Sequence, residues 1–73
     1  MFIKTQSNTL LNLGRVTCLD VLKCWNENSA TVKAKADGYD FDIYSGTIEE
    51  AEDAFHTIQE GLIHGASLID YSK

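Results

Sequence analysis

The sequence predicts an α+β fold: an antiparallel β-meander of four to five strands with one C-terminal α-helix, at about residues 47–64, packed on one face. Two observations carry this prediction. Asp37-Gly38 lies between two runs of alternating apolar and polar residues, which is typical of a type I′ hairpin because both central residues need a positive φ. Further along, apolar residues recur at helical spacing behind a capping sequence. At 73 residues, we expect residues 1–73 to form a single domain.

Folding the chain about Asp37-Gly38 generates a specific register. It contains two cross-strand pairs of opposite charge, Lys35 with Asp40 and Lys33 with Asp42. The same register collects the apolar side chains on one face: Val32, Ala34, Ala36, Tyr39, Phe41 and Ile43. A slip of one residue would mix the two faces, so the pattern favours this register.

Turn-forming residues at 26–29 predict a second hairpin, which adds a strand before the first one. In this hairpin we expect Val21 opposite Ala34 and Asp20 opposite Lys35. The N-terminus predicts a third hairpin, with strands around 2–5 and 9–13. Its apolar residues occur in adjacent pairs rather than alternating, which indicates burial on both faces or use in an interface.

The helix has clear signals at both ends. Thr47 and Glu50 form a capping box, and Gly65 is the expected stop. The stripe that we expect to pack on the sheet consists of Ala51, Ala54, Phe55, Ile58 and Leu62.

Composition excludes several classes of protein. Six Lys and Arg against eleven Asp and Glu give a net charge of −5, so we expect no membrane partner and no general nucleic-acid binding. No apolar run approaches the roughly 20 residues of a membrane span.

Cys18 and Cys24 fall six residues apart on one predicted strand, too far apart for a disulfide. Two free thiols indicate a cytoplasmic protein.

No residues form a recognisable catalytic pattern. The serines have no Gly-x-Ser-x-Gly context, the glycines are scattered, and neither histidine has a triad spacing. We therefore expect no enzymatic activity and no cofactor. The one metal-ligand candidate is a helical ridge, His56, Glu60 and His64, continued by Glu52. A ridge alone cannot supply a closed zinc site, so a second subunit would have to contribute; the alternative is a solvated face with ordinary i, i+4 pairs.

One helix can cover only one face of the meander, so apolar side chains are left over. For a chain of this size, burial between subunits is the usual remedy, and a two-fold homodimer is the expected assembly. The candidate interface residues are Phe2, Ile3, Leu11, Cys18, Leu22, Cys24 and Tyr44.

The chain also resembles a group of short bacterial proteins. The shared features are Met-Phe-Ile-Lys-Thr, Leu-Leu-Asn-Leu, the Asp-Gly hairpin and Thr-Ile-Glu-Glu-Ala-Glu. The proteins of this group are uncharacterised, and each has a β-meander followed by one C-terminal helix. The resemblance implies a bacterial or phage source and a cytosolic setting, and it implies no activity.

Together these observations predict a small, soluble, non-enzymatic interaction or accessory protein that associates with itself and binds another protein. The alternative is a small-ligand or metal-binding module that uses the helix ridge or a subunit interface.

Overall fold

The computed structural model describes residues 1–72 and confirms the α+β class. The elements are β1 (Phe2–Lys4), β2 (Leu10–Asn12), β3 (Val16–Cys24), β4 (Ser29–Ala36), β5 (Tyr39–Gly46), α1 (Ile48–His64) and β6 (Leu68–Asp70). Two 3₁₀ turns, Leu13–Arg15 and Trp25–Glu27, flank β3. The strands form two three-stranded sheets, with orders β3-β4-β5 and β2-β1-β6. The meander therefore has three strands, because the N-terminal hairpin belongs to the second sheet.

The β4–β5 hairpin follows the predicted register near its turn. Asp37 and Gly38 have φ values of 53° and 83°, as a type I′ turn requires. Lys35 lies opposite Asp40 and Lys33 opposite Asp42. Farther from the turn the register shifts, so that Val32 opposes Tyr44 rather than the predicted Ile43. The extra residue on β5 is a β-bulge, which turns Tyr44 away from the lysine face and toward Tyr71.

The β3–β4 hairpin differs from the predicted register by two residues. Val21 lies opposite Val32, and Asp20 lies opposite Lys33 rather than Lys35. The cause is the loop: Trp25–Glu27 forms a 3₁₀ turn, and Asn28 closes it in the left-handed conformation. A shift of two residues keeps each side chain on its predicted face but changes its partner. Lys33, not Lys35, therefore lies between two aspartates.

Helix α1 begins and ends as predicted. Thr47 accepts a hydrogen bond from the Glu50 amide, and the Glu50 carboxylate accepts one from the Thr47 amide. Gly65 ends the helix at φ 72°. The helix packs over β3, β4 and β5. The buried apolar core is formed by Ile3, Leu11, Leu13, Ala30, Val32, Ala34, Ala36, Ile43, Ile48, Ala51, Ala54 and Ile58.

The second sheet is closed by the end of the chain. β6 pairs in parallel with β1, so that Ile3 opposes Ile69, and the Tyr71 hydroxyl donates to the Ala54 carbonyl at 2.9 Å. Gly61 lies over this sheet, where a Cβ would be only 2.9 Å from Ile69 Cδ1. Within residues 1–72 no helix has the length and apolarity needed to cross a bilayer.

Candidate interaction surfaces

The outer edge of β3 is an unpaired strand edge. β3 pairs only with β4, and within residues 1–72 no backbone group from Thr17 to Cys24 bonds to any other segment. The strand has nine residues, and Cys18, Asp20, Leu22 and Cys24 are exposed along it. A row of unpaired N–H and C=O groups of this length is a template for another strand. We call this feature the β3 edge.

The opposite edge of the meander is covered at Ile43 and Ser45. At β5 the backbone N–H of Gln6 donates to the Ile43 carbonyl at 3.0 Å. The Gln6 side chain then accepts from the Ser45 amide at 2.7 Å and donates to the Ser45 carbonyl at 3.1 Å. Gln6 therefore provides partners for the outward backbone groups of Ile43 and Ser45 beside the bulge. The same sheet thus has one partly covered edge and one open edge.

The face of the meander that α1 does not cover is polar. Lys33 Nζ lies 2.6 Å from Asp42 Oδ1, and this hydrogen bond, together with the negative charge, raises the pKa of Lys33. Cys18 Sγ donates to Asp20 Oδ2 at 3.2 Å, and the carboxylate raises the pKa of the Cys18 thiol by opposing formation of the thiolate. A thiol held protonated is a poor nucleophile at neutral pH.

On the other face, a groove of mixed polarity lies beside the β3 edge. Val21 and Phe55 form its apolar part, and its polar part is formed by Lys23, Glu52, His56 and Gln59. Leu62 lies two turns beyond Phe55 on the same side of the helix and is exposed. Val21 and Phe55 therefore place apolar surface between the β3 edge and the helix.

Trp25 is the most exposed aromatic residue near this edge, at 72% of its maximal accessibility. Lys23 Nζ lies 5.2 Å from the centroid of the Trp25 ring and 3.3 Å from Glu52 Oε1. An ion pair between Lys23 and Glu52 thereby connects the end of β3 to α1, and the charge of Lys23 is directed toward α1 rather than along the β3 edge. Trp25 is not among the interface residues predicted from the sequence.

The seven predicted interface residues do not lie together. Cys18, Leu22 and Cys24 share the open face of β3, and Phe2 lies on the outward face of the second sheet with Leu10 and Leu68. Ile3 and Leu11 are buried in the core, because each adjacent apolar pair divides between the two faces of its strand. Tyr44 is half-buried, with its ring centroid 5.4 Å from that of Tyr71.

The predicted metal ridge is exposed on α1. Glu60 lies between the two histidines, 3.6 Å from His56 Nε2 and 3.2 Å from His64 Nε2. Glu52 instead faces Lys23. In the part of the chain that the structure describes, no three His, Cys, Asp or Glu side chains are grouped to hold a metal ion. Metal binding by this ridge with the help of a second subunit stays a prediction.

Comparison of the chain with protein-family models, with curated proteins and with solved structures finds no match.

Proposed function

We propose that the protein is a non-enzymatic accessory protein that forms a homodimer and, as a dimer, binds another protein. The observation that carries the proposal is the contrast between the two edges of the meander. Gln6 covers the β5 edge at Ile43 and Ser45 with three hydrogen bonds, whereas the β3 edge presents unpaired backbone groups along a nine-residue strand. Strand edges of this length in monomeric proteins are usually blunted by charge, proline or a covering segment.

The size of the core supports the same proposal. Twelve buried apolar residues form it, and five of the twelve are isoleucine or valine while five are alanine. A core of this size stabilises a small domain only weakly, so additional burial between subunits has a large relative effect.

We place the dimer in the cytoplasm of a bacterium. The two cysteines support this setting, because both are free and exposed, and an oxidising compartment would not preserve such thiols. The bacterial source rests on the resemblance of the sequence to short bacterial proteins.

Light scattering on a sizing column tests the proposal. With a reducing agent present, we expect a molar mass near 16.2 kDa, twice the 8.1 kDa of one chain, that falls toward 8.1 kDa on dilution. The reducing agent ensures that the association measured is not a disulfide. A mass of 8.1 kDa at every concentration would refute self-association.

A further inference from the structure

We infer that two copies of the chain pair through their β3 edges, antiparallel about a two-fold axis at Val21, to form one continuous six-stranded sheet. This inference rests on the proposed function, since it specifies the surface and the register of the self-association proposed above. The partner is a second copy because an antiparallel copy of β3 pairs with the regular part of the strand over its whole length and places no two like charges directly opposite each other.

The register follows from the shape of β3. The strand has a register shift between Val16 and Cys18, which leaves Cys18–Cys24 as its regular part. Val21 is the centre of that segment, so pairing over its whole length places Val21 opposite Val21 of the second copy. Seven residue pairs form on this alignment. A two-fold axis perpendicular to the sheet keeps each side chain on its own face. In each of the other allowed registers, the axis therefore passes through a different residue of β3.

The two neighbouring registers are less favourable. An axis at Asp20 would place two carboxylates directly opposite each other, which is destabilising. An axis at Leu22 would leave only five pairs, because β3 ends at Cys24. With the axis at Val21, Asp20 lies opposite Leu22 of the second copy and keeps Lys33 of its own chain as the neighbour on β4.

Val21 and Phe55 beside the edge supply apolar contact for the same pairing. Both helices would lie on one face of the joined sheet, one on each side of the two central strands. The half-buried Val21 side chains of the two copies would meet at the axis, with the half-buried Phe55 of each helix beside them. Burial of this surface adds to the backbone hydrogen bonds, which alone stabilise an interface only modestly.

Charge substitutions at Leu22 test the surface. Leu22→Glu places a carboxylate opposite Asp20 of the second copy at two symmetric positions, and we expect the dimer dissociation constant to rise roughly tenfold. Leu22→Lys places an opposite charge there, and its dissociation constant should be no higher than that of the unmodified protein. Leu10→Glu is the matched control, because Leu10 is equally exposed (61% against 55% for Leu22) but lies on the second sheet. Circular dichroism checks that all three variants are folded.

The cysteines test the register. In the proposed alignment Cys18 of each copy lies opposite Cys24 of the other, at the Cα separation that a disulfide needs. Diamide at mildly alkaline pH, which offsets the raised pKa of Cys18, should therefore yield a covalent dimer. Each disulfide forms as two thiols give up two protons and two electrons, which reduce diamide to its hydrazine.

Single serine variants make this test specific. Cys18→Ser and Cys24→Ser should each fail to cross-link alone, because the remaining thiol has no thiol opposite it. An equal mixture of the two variants should cross-link again, since a mixed dimer contains one Cys18–Cys24 pair.

The outcomes separate this inference from the proposed function. A monomer at every concentration overturns both. A dimer that Leu10→Glu weakens and Leu22→Glu leaves intact preserves self-association but overturns the β3 edge as its site. Single-cysteine variants that cross-link as well as the unmodified protein, or a dimer that diamide does not cross-link, overturn the register.

Discussion

Replacing Ile58 by alanine is expected to lower the free energy of unfolding by about 2–5 kcal/mol. The Ile58 side chain is fully buried, at 0% exposure, on the stripe of α1 that packs on the meander. The loss combines the removed apolar contact with the cavity left behind. A domain of this size has only a few kcal/mol of net stability, so we expect the variant to be largely unfolded at physiological temperature.

Ile63→Ala is the matched control for Ile58→Ala. It makes the same change on the same helix at a position that is 73% exposed, and we expect an effect within about 0.5 kcal/mol. Urea unfolding followed by far-ultraviolet circular dichroism measures both variants, at one fixed protein concentration because the proposed dimerisation would make stability concentration-dependent. Equal losses in the two variants would contradict the assignment of the buried stripe.

Introducing aspartate at two consecutive positions of β6 is expected to lower the free energy of unfolding by very different amounts. Ile69 faces inward, opposite Ile3 and against Gly61 of α1, so Ile69→Asp places a carboxylate in apolar surroundings and should cost about 3 kcal/mol. Leu68 faces outward and is exposed, and Leu68→Asp should cost less than about 1 kcal/mol.

The same unfolding assay measures this pair. Because consecutive residues of a strand point to opposite faces, the comparison tests the parallel register of β6 on β1 directly. A larger loss for Leu68→Asp than for Ile69→Asp would mean that β6 is shifted by one residue or is not part of the second sheet.

The local signals in the sequence were sufficient for the helix and for one hairpin. Thr47, Glu50 and Gly65 define the ends of α1 through backbone hydrogen bonds within a few residues. Asp37-Gly38 defines a turn in which both residues have positive φ. Features of this kind depend on neighbours in the chain, so a single sequence contains the information needed to predict them.

The features that the sequence did not reveal are those that depend on distant segments. The bulge at Ile43 accompanies hydrogen bonds from Gln6, which lies 39 residues before Ser45. β6 has three residues and pairs in parallel with the first strand, so no local pattern marks it. The register of β3 on β4 depends on Asn28, which closes the loop in the left-handed conformation. The centre of the loop lies one residue earlier than predicted, and this shifts the pairing of the two strands by two residues.

The β3 edge was predicted only in part, because its side-chain pattern is local but its lack of a neighbouring strand depends on distant segments. Alternation along β3 was sufficient to place Cys18, Leu22 and Cys24 on one exposed face. The openness of the β3 edge could not be read from the sequence, because it depends on which strands lie beside β3 and on Gln6 covering the other edge instead.

Amide hydrogen exchange, measured residue by residue by nuclear magnetic resonance at low and high protein concentration, tests the pairing of β3 edges most directly. We predict that alternate amides between Cys18 and Cys24, those pointing away from β4, become more protected as the concentration rises. The Ser45 amide, which Gln6 already binds, serves as the internal reference and should change no more than global stability does. Exchange at Cys18–Cys24 that stays the same at all concentrations, in a sample that light scattering shows to be dimeric, would contradict this pairing.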